Sequence, residues 1–137
     1  MKEKIINLIR QSKSLLKLVQ YEIENLELDN FALKRKISDL YYVSFWLTET
    51  LLLTKNITNM KRHITIIFQF NKNFDFYNPI GKLFNLRNKA DYDSFYETSE
   101  EEVEQLIKEV KEFYNKTLEY LRKERIFNEK EIEELKL

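Results

Sequence analysis

The residues best suited to chemistry gather in one stretch, Leu83-Phe84-Asn85-Leu86-Arg87-Asn88-Lys89-Ala90-Asp91-Tyr92. Arg87 offers a guanidinium, which never loses its charge and grips two phosphate oxygens at once. Asn88 can hydrogen-bond a phosphate or a base, or cap a helix, and Lys89 adds a second cation. Asp91, with Asp93 behind it, is a carboxylate able to act as a base. Tyr92 brings a phenol that titrates near pH ~10 when unperturbed, so at neutral pH it is a hydrogen-bonding group and a poor base. The chain has one histidine, His63, directly after Lys61 and Arg62. This basic trio opens a predicted helix, where free N–H groups favour an anion. Imidazole titrates near working pH, so His63 can move a proton if folding carries it to Arg87; the alternative is a surface histidine at a helix start. Arg87 has an alternative too, an ion pair with Asp91 or Asp93 that pins the chain.

Composition limits what else is available. Among 137 residues there is no cysteine, one glycine, one proline and one histidine. Thiol chemistry, disulfide scaffolds and Cys-based zinc sites are excluded, and no cluster of histidines can hold a metal. A P-loop or dinucleotide fingerprint needs several glycines. No metal and no cofactor are expected. So few turn-forming residues also argue against a strand-rich fold.

Helices must therefore position these groups. Ile5, Ile6, Leu8, Ile9, Ser12, Leu15, Leu16, Val19, Ile23 and Leu26 recur at three- and four-residue steps, an amphipathic helix over about 2–28. Asp29 or Asn30 can cap a second helix running to about Thr54, apolar over a wide arc that includes Phe31, Leu33, Ile37, Leu40, Tyr41, Phe45 and Leu51. The width of that arc predicts a central element. Tyr41 and Tyr42 suit core and interface packing better than base stacking. A shorter helix starts near His63 and carries Ile64, Ile67, Phe68 and Phe70, although 64–70 alternates enough to pass for a strand; residues 71–77 read as an Asn- and Phe-rich loop. Asn78-Pro79 starts another helix, and 91–96 reads as a loop dense in aromatics and carboxylates. Ser99 and Glu102 form a capping box ahead of a long helix to about Arg125. The expectation is an all-α, antiparallel bundle of four to five helices over 1–125, with a short charged tail or helix over 126–137.

The formal net charge of zero hides an asymmetry: residues 1–96 carry +5 and residues 97–137 carry −5. A basic body suits nucleic acid or nucleotide phosphate, and a solvated surface explains the same numbers. The most apolar stretch, 40–53, contains Glu49 and is too short to span a membrane, which needs about 20 apolar residues. A cytoplasmic protein is expected, without a membrane partner.

The Arg87-to-Tyr92 stretch resembles the HEPN family, the prokaryotic and eukaryotic nucleotide-binding helical domain, and most closely its small prokaryotic branch with an L-R-x-x-A-D-Y signature. Tyr41-Tyr42 followed by Phe45, His63 with Phe68 in the third helix, and the Ser99-Glu100-Glu101-Glu102 helix start are also similar. The resemblance covers roughly residues 5–122. It implies a helical bundle, a homodimer, and a toxin paired with a minimal nucleotidyltransferase antitoxin. Active family members are metal-independent ribonucleases with an R-x4–6-H motif, in which the arginine stabilises phosphate charge and the histidine moves a proton.

Here the first position that motif gives to histidine holds Tyr92. The resemblance thus implies either an endoribonuclease working through Arg87 with Tyr92, Asp91 and His63, or a non-catalytic subunit. The latter would bind RNA or nucleotide through Arg87, Asn88, Lys89, Lys61 and Arg62, or dock the nucleotidyltransferase. A helical adaptor is the third reading. Tyr92 or Tyr96 is the candidate for modification by a nucleotidyltransferase partner.

Overall fold

A computed structural model describes residues 1–58 and 62–137. Among the described residues there are six helices and no strand: α1 (Lys2–Asn25), α2 (Asn30–Thr54), α3 (His63–Asn73), α4 (Ile80–Tyr92), α5 (Glu100–Lys123) and α6 (Glu129–Leu135). The chain is an all-α bundle, as its periodicity predicts, with one helix more than five. No described helix is long and apolar enough to cross a membrane.

α1 buries Ile5, Ile9, Ser12, Leu16, Val19 and Ile23 of the stripe expected from spacing, while Ile6, Leu8 and Leu15 are partly buried and Leu26 is exposed. Ser12 is tolerated there because its hydroxyl donates to the Leu8 carbonyl at 2.8 Å. Four residues then turn the chain, and Asp29 caps α2 by accepting from the Ala32 N–H at 2.8 Å.

α2 is the central element, packed against α1, α3, α4 and α5. Ile37, Leu40, Tyr41, Val43, Leu47 and Leu51 are fully buried around its circumference. Burying each such side chain contributes about 1.5–3 kcal/mol, so α2 is the main source of cohesion. Lys36 is also buried, and its ammonium pairs with Glu22 at 3.0 Å and Asp39 at 3.5 Å.

α3 keeps Phe70 inward but turns Ile64 and Phe68 outward. Ile66 and Phe70 face the core, while Ile64 and Phe68 are 70% and 61% exposed. Phe70 decides the orientation by stacking on Phe74 at 5.0 Å and meeting Phe113 of α5 edge-on at 5.8 Å. Phe74 in turn packs on Tyr120 at 5.2 Å, and Phe76 on Phe113 at 6.1 Å. The Asn- and Phe-rich segment is thus a clamp on α5; α3 continues into it as far as Asn73.

α4 carries Arg87, and its start is tied to α2. The Asn78 side chain accepts from the Ile80 N–H at 3.0 Å and donates to Thr48 Oγ1 at 2.8 Å. Thr48, fully buried on α2, passes its own hydrogen to the Ser44 carbonyl at 2.6 Å. Pro79 precedes the first helical residue rather than occupying it. Thr48→Val strands the Asn78 amide, and is expected to cost about 1–2 kcal/mol in urea unfolding; a change below 0.3 kcal/mol would remove this bond as the anchor.

α4 runs through Asp91 and Tyr92, which the sequence reading assigns to a loop. Nothing in Arg87–Tyr92 breaks a helix, and the turn comes at Asp93, whose side chain accepts from the Phe95 N–H at 2.9 Å.

Ser99 caps α5 as expected, accepting from Glu102 N–H at 3.1 Å. The reciprocal half of the capping box is replaced: Glu102 Oε1 accepts from the Tyr96 hydroxyl at 2.5 Å and from Thr98 Oγ1 at 3.0 Å. The complete capping box is at α6, between Asn128 and Glu131. Ile132 and Leu135 of α6 are buried, and the buried Tyr114 hydroxyl donates to the Leu135 carbonyl.

Candidate functional site

The two tyrosines of α2 stand at adjacent positions and so point about 100° apart around the helix. Tyr41 points into the core and is fully buried; Tyr42 is 38% exposed. Arg87 of α4 lies across both. Its guanidinium carbon is 5.0 Å from the Tyr41 ring centroid and 5.2 Å from that of Tyr42. Nη2 donates to the Tyr42 hydroxyl at 3.2 Å. The planar cation is thus stacked on π faces, which orients it without neutralising it.

One turn on, Asp91 Oδ2 lies 3.4 Å from Arg87 Nε. That is charge pairing without a hydrogen bond: Nε is buried and has no hydrogen-bond partner. The ion pair anticipated with Asp91 therefore exists, but it leaves guanidinium donors uncommitted.

Arg87 and Asp91 form one wall of a cleft of about 230 Å³, whose other wall is Arg35, Ser38, Asp39 and Tyr42. These four α2 residues are spaced three, four and seven apart, one helical face. The sequence reading missed Ser38 and Asp39 as site residues. Their spacing was the available signal, but only packing against α4 gives that face a partner. Burial holds the Asp39 carboxyl above its ordinary value, against the pull of Lys36 and Arg35. The cleft thus offers two guanidinium groups, two carboxyls and two hydroxyls.

His63, in the first turn of α3, also reaches Tyr41 but does not line the cleft. Its ring centroid is 5.5 Å from that of Tyr41, 5.5 Å from Phe45 and 5.7 Å, stacked, from Phe84. Nδ1 is hydrogen-bonded to the Tyr41 hydroxyl. Tyr41 is therefore contacted by both Arg87 of α4 and His63 of α3. Burial pushes the Tyr41 phenol up to about 12, although Arg87 pulls the other way.

Burial, and then the charge of Arg87, hold the imidazole of His63 below its ordinary value of 6.5. The unfolded chain then takes up this proton before the folded one does. Stability from this group is complete above about pH 6.5 and declines as pH falls through the lowered value. Melting temperature should drop over that interval in the wild type, and the drop should be shallower in His63→Gln. Identical profiles would show that His63 is not held neutral.

The remaining candidates stand apart. Tyr92, in the last turn of α4, is 84% exposed and makes no hydrogen bond or ring contact with Arg87 among the described residues. Asn88 is half-buried and Lys89 exposed, both outside the cleft lining. Arg62 is the exposed residue before α3. Lys61 lies outside the described residues. The Tyr96 hydroxyl is engaged by Glu102. No group of three metal-ligating side chains occurs among the described residues.

No protein-family model matches the chain. A Methanocaldococcus jannaschii protein named "Putative toxin MJ0142" is 36% identical over 105 residues, which cover 71% of this chain and 68% of the archaeal one.

Proposed function

The chain belongs to the family of this archaeal protein, and from that premise we propose that it is a toxin of the HEPN class acting on RNA at the Arg87 cleft. The observation that carries the reading is the state of Arg87: a guanidinium braced on two aromatic faces at the edge of a polar cleft. Such a group binds a phosphodiester and stabilises the charge that builds on it during cleavage. His63 supplies the imidazole absent from position 92, and Asp91 the carboxylate. Tyr92, fully displayed to solvent, takes the place of a residue for modification by a partner nucleotidyltransferase.

In this reading the protein acts as a homodimer, and Ile64 and Phe68 beside His63 provide exposed apolar surface for a second copy. Its antidote is a minimal nucleotidyltransferase, and it works in the cytoplasm without metal or cofactor. The separation of Tyr92 from Arg87 favours a second reading, a subunit that binds RNA or nucleotide without cutting it. Incubating the purified chain with total RNA in the presence of EDTA separates them. Cleavage supports the first, binding without cleavage the second, and neither leaves the cleft without a nucleic-acid role.

A further inference from the structure

The link between Tyr41 and His63 has chemical content beyond packing. A neutral imidazole donates from one ring nitrogen and accepts at the other, so whatever bonds one nitrogen dictates the behaviour of the other. Here the partner of Nδ1 is the Tyr41 hydroxyl, at a residue with no exposed surface. Among the described residues that hydroxyl has no second hydrogen-bond partner. Arg87 cannot serve, having only donors, and its Nη2 goes to Tyr42 instead.

If Nδ1–H donated to the phenol oxygen, the phenol hydrogen would be left buried without an acceptor, which is unfavourable. If the phenol donates to Nδ1, both groups are satisfied. The ring is also held in place: Phe84 stacks on it at 5.7 Å and 27°, and Phe45 and Tyr41 stand at 5.5 Å.

We propose that Tyr41 is a positioning residue that donates to His63 Nδ1, fixing the neutral imidazole as the Nε2–H tautomer, so that His63 offers an N–H donor rather than a base to a phosphate. The clause about phosphate rests on the proposed action at RNA; the tautomer does not. A neutral imidazole in this form is an oriented dipole that can stabilise charge on a phosphate oxygen without changing its own protonation. The ring carries little charge near neutrality because burial and Arg87 disfavour the imidazolium. Proton abstraction, if the chain cleaves RNA, then falls to another group, and Asp91 is the carboxylate beside Arg87.

The single histidine makes the test unambiguous. In the full-length chain labelled with ¹⁵N, a two-bond ¹H–¹⁵N correlation spectrum above the titration of the ring reads the tautomer directly. The Nε2–H form should outnumber the Nδ1–H form by more than roughly tenfold, the bias that one hydrogen bond of ordinary net strength supplies. In Tyr41→Phe the ratio should fall to that of an isolated histidine side chain. A wild-type proton on Nδ1, a wild-type ratio no different from free histidine, or a ratio unmoved by Tyr41→Phe in a folded variant each overturns the proposal. Should Tyr41→Phe fail to fold, the wild-type spectrum still decides. An Nε2–H ring in a chain that leaves RNA intact would refute the RNA reading and keep Tyr41 in its role. Cleavage by a chain with an Nδ1–H ring would do the reverse.

Discussion

Arg87→Ala is expected to abolish growth inhibition on induced expression and to lower the rate of metal-independent RNA cleavage by about 100- to 1,000-fold, the loss typical of removing one preorganised donor from developing charge. The fold should survive the change. Arg87 is half-buried and its contacts with the fold are the two tyrosine faces, the Tyr42 hydroxyl and Asp91. A cation–π contact contributes about 0.5–2 kcal/mol, less than a domain of this size needs to lose before it unfolds. Arg87→Lys is the informative companion: it keeps the charge but loses the planar fork and the stacking on Tyr41 and Tyr42. It should recover only a small part of the activity. Full activity in the alanine variant would remove Arg87 from the site, whereas a partial loss shared equally by both variants would reduce its role to charge attraction.

The largest effect on stability is expected from Phe113→Ala. Phe113 is buried on α5, where Phe70 of α3 meets it at 5.8 Å and Phe76 of the following segment at 6.1 Å. Truncation leaves a cavity where three elements converge, and costs about 3–5 kcal/mol by denaturant unfolding. Total stability of a domain is about 5–15 kcal/mol, so the variant should be marginal at 37 °C. Leu18→Ala supplies the contrast. Leu18 lies on α1 with 51% of its surface exposed, and alanine is the better helix former, so the change should stay within about 0.5 kcal/mol. Similar losses in both variants would mean that the aromatic clamp is not the cohesive unit proposed.

The Phe113 cluster also shows where sequence reading stops. Phe74 and Phe76 sit among asparagines, outside any helical period, and read as loop residues. Their loop assignment is right for 74–77, yet both rings pack against α5. Aromatic packing across elements leaves no local period. Ile64 and Phe68 show the same limit in a helix. Helical periodicity groups them on one face and Ile66 and Phe70 on another, and both faces are apolar. Only the position of Phe113 and Phe74 selects the second for the core.

The caps at Asp29 and Ser99 were legible because they depend on side chains a few residues away, as was the buried stripe of α1. The site was legible in its parts. Arg87, Asp91 and His63 stand out by residue chemistry alone. Ser38 and Asp39 did not, because a polar pair on an amphipathic helix is ordinary until another helix faces it.

The sequence by itself determined the all-α class, the helix that carries Arg87 and the lack of thiol or glycine-loop chemistry, since each depends on residue type or on spacing within one turn or one helix. Tertiary structure alone decided that Arg87 and His63 both contact one buried tyrosine. That arrangement depends on how α3 and α4 pack against α2, through the Tyr41–His63 bond, Phe84 and the Asn78–Thr48 bond. Contacts between residues 22 to 46 positions apart are set by the shapes that meet there, and no local pattern encodes them.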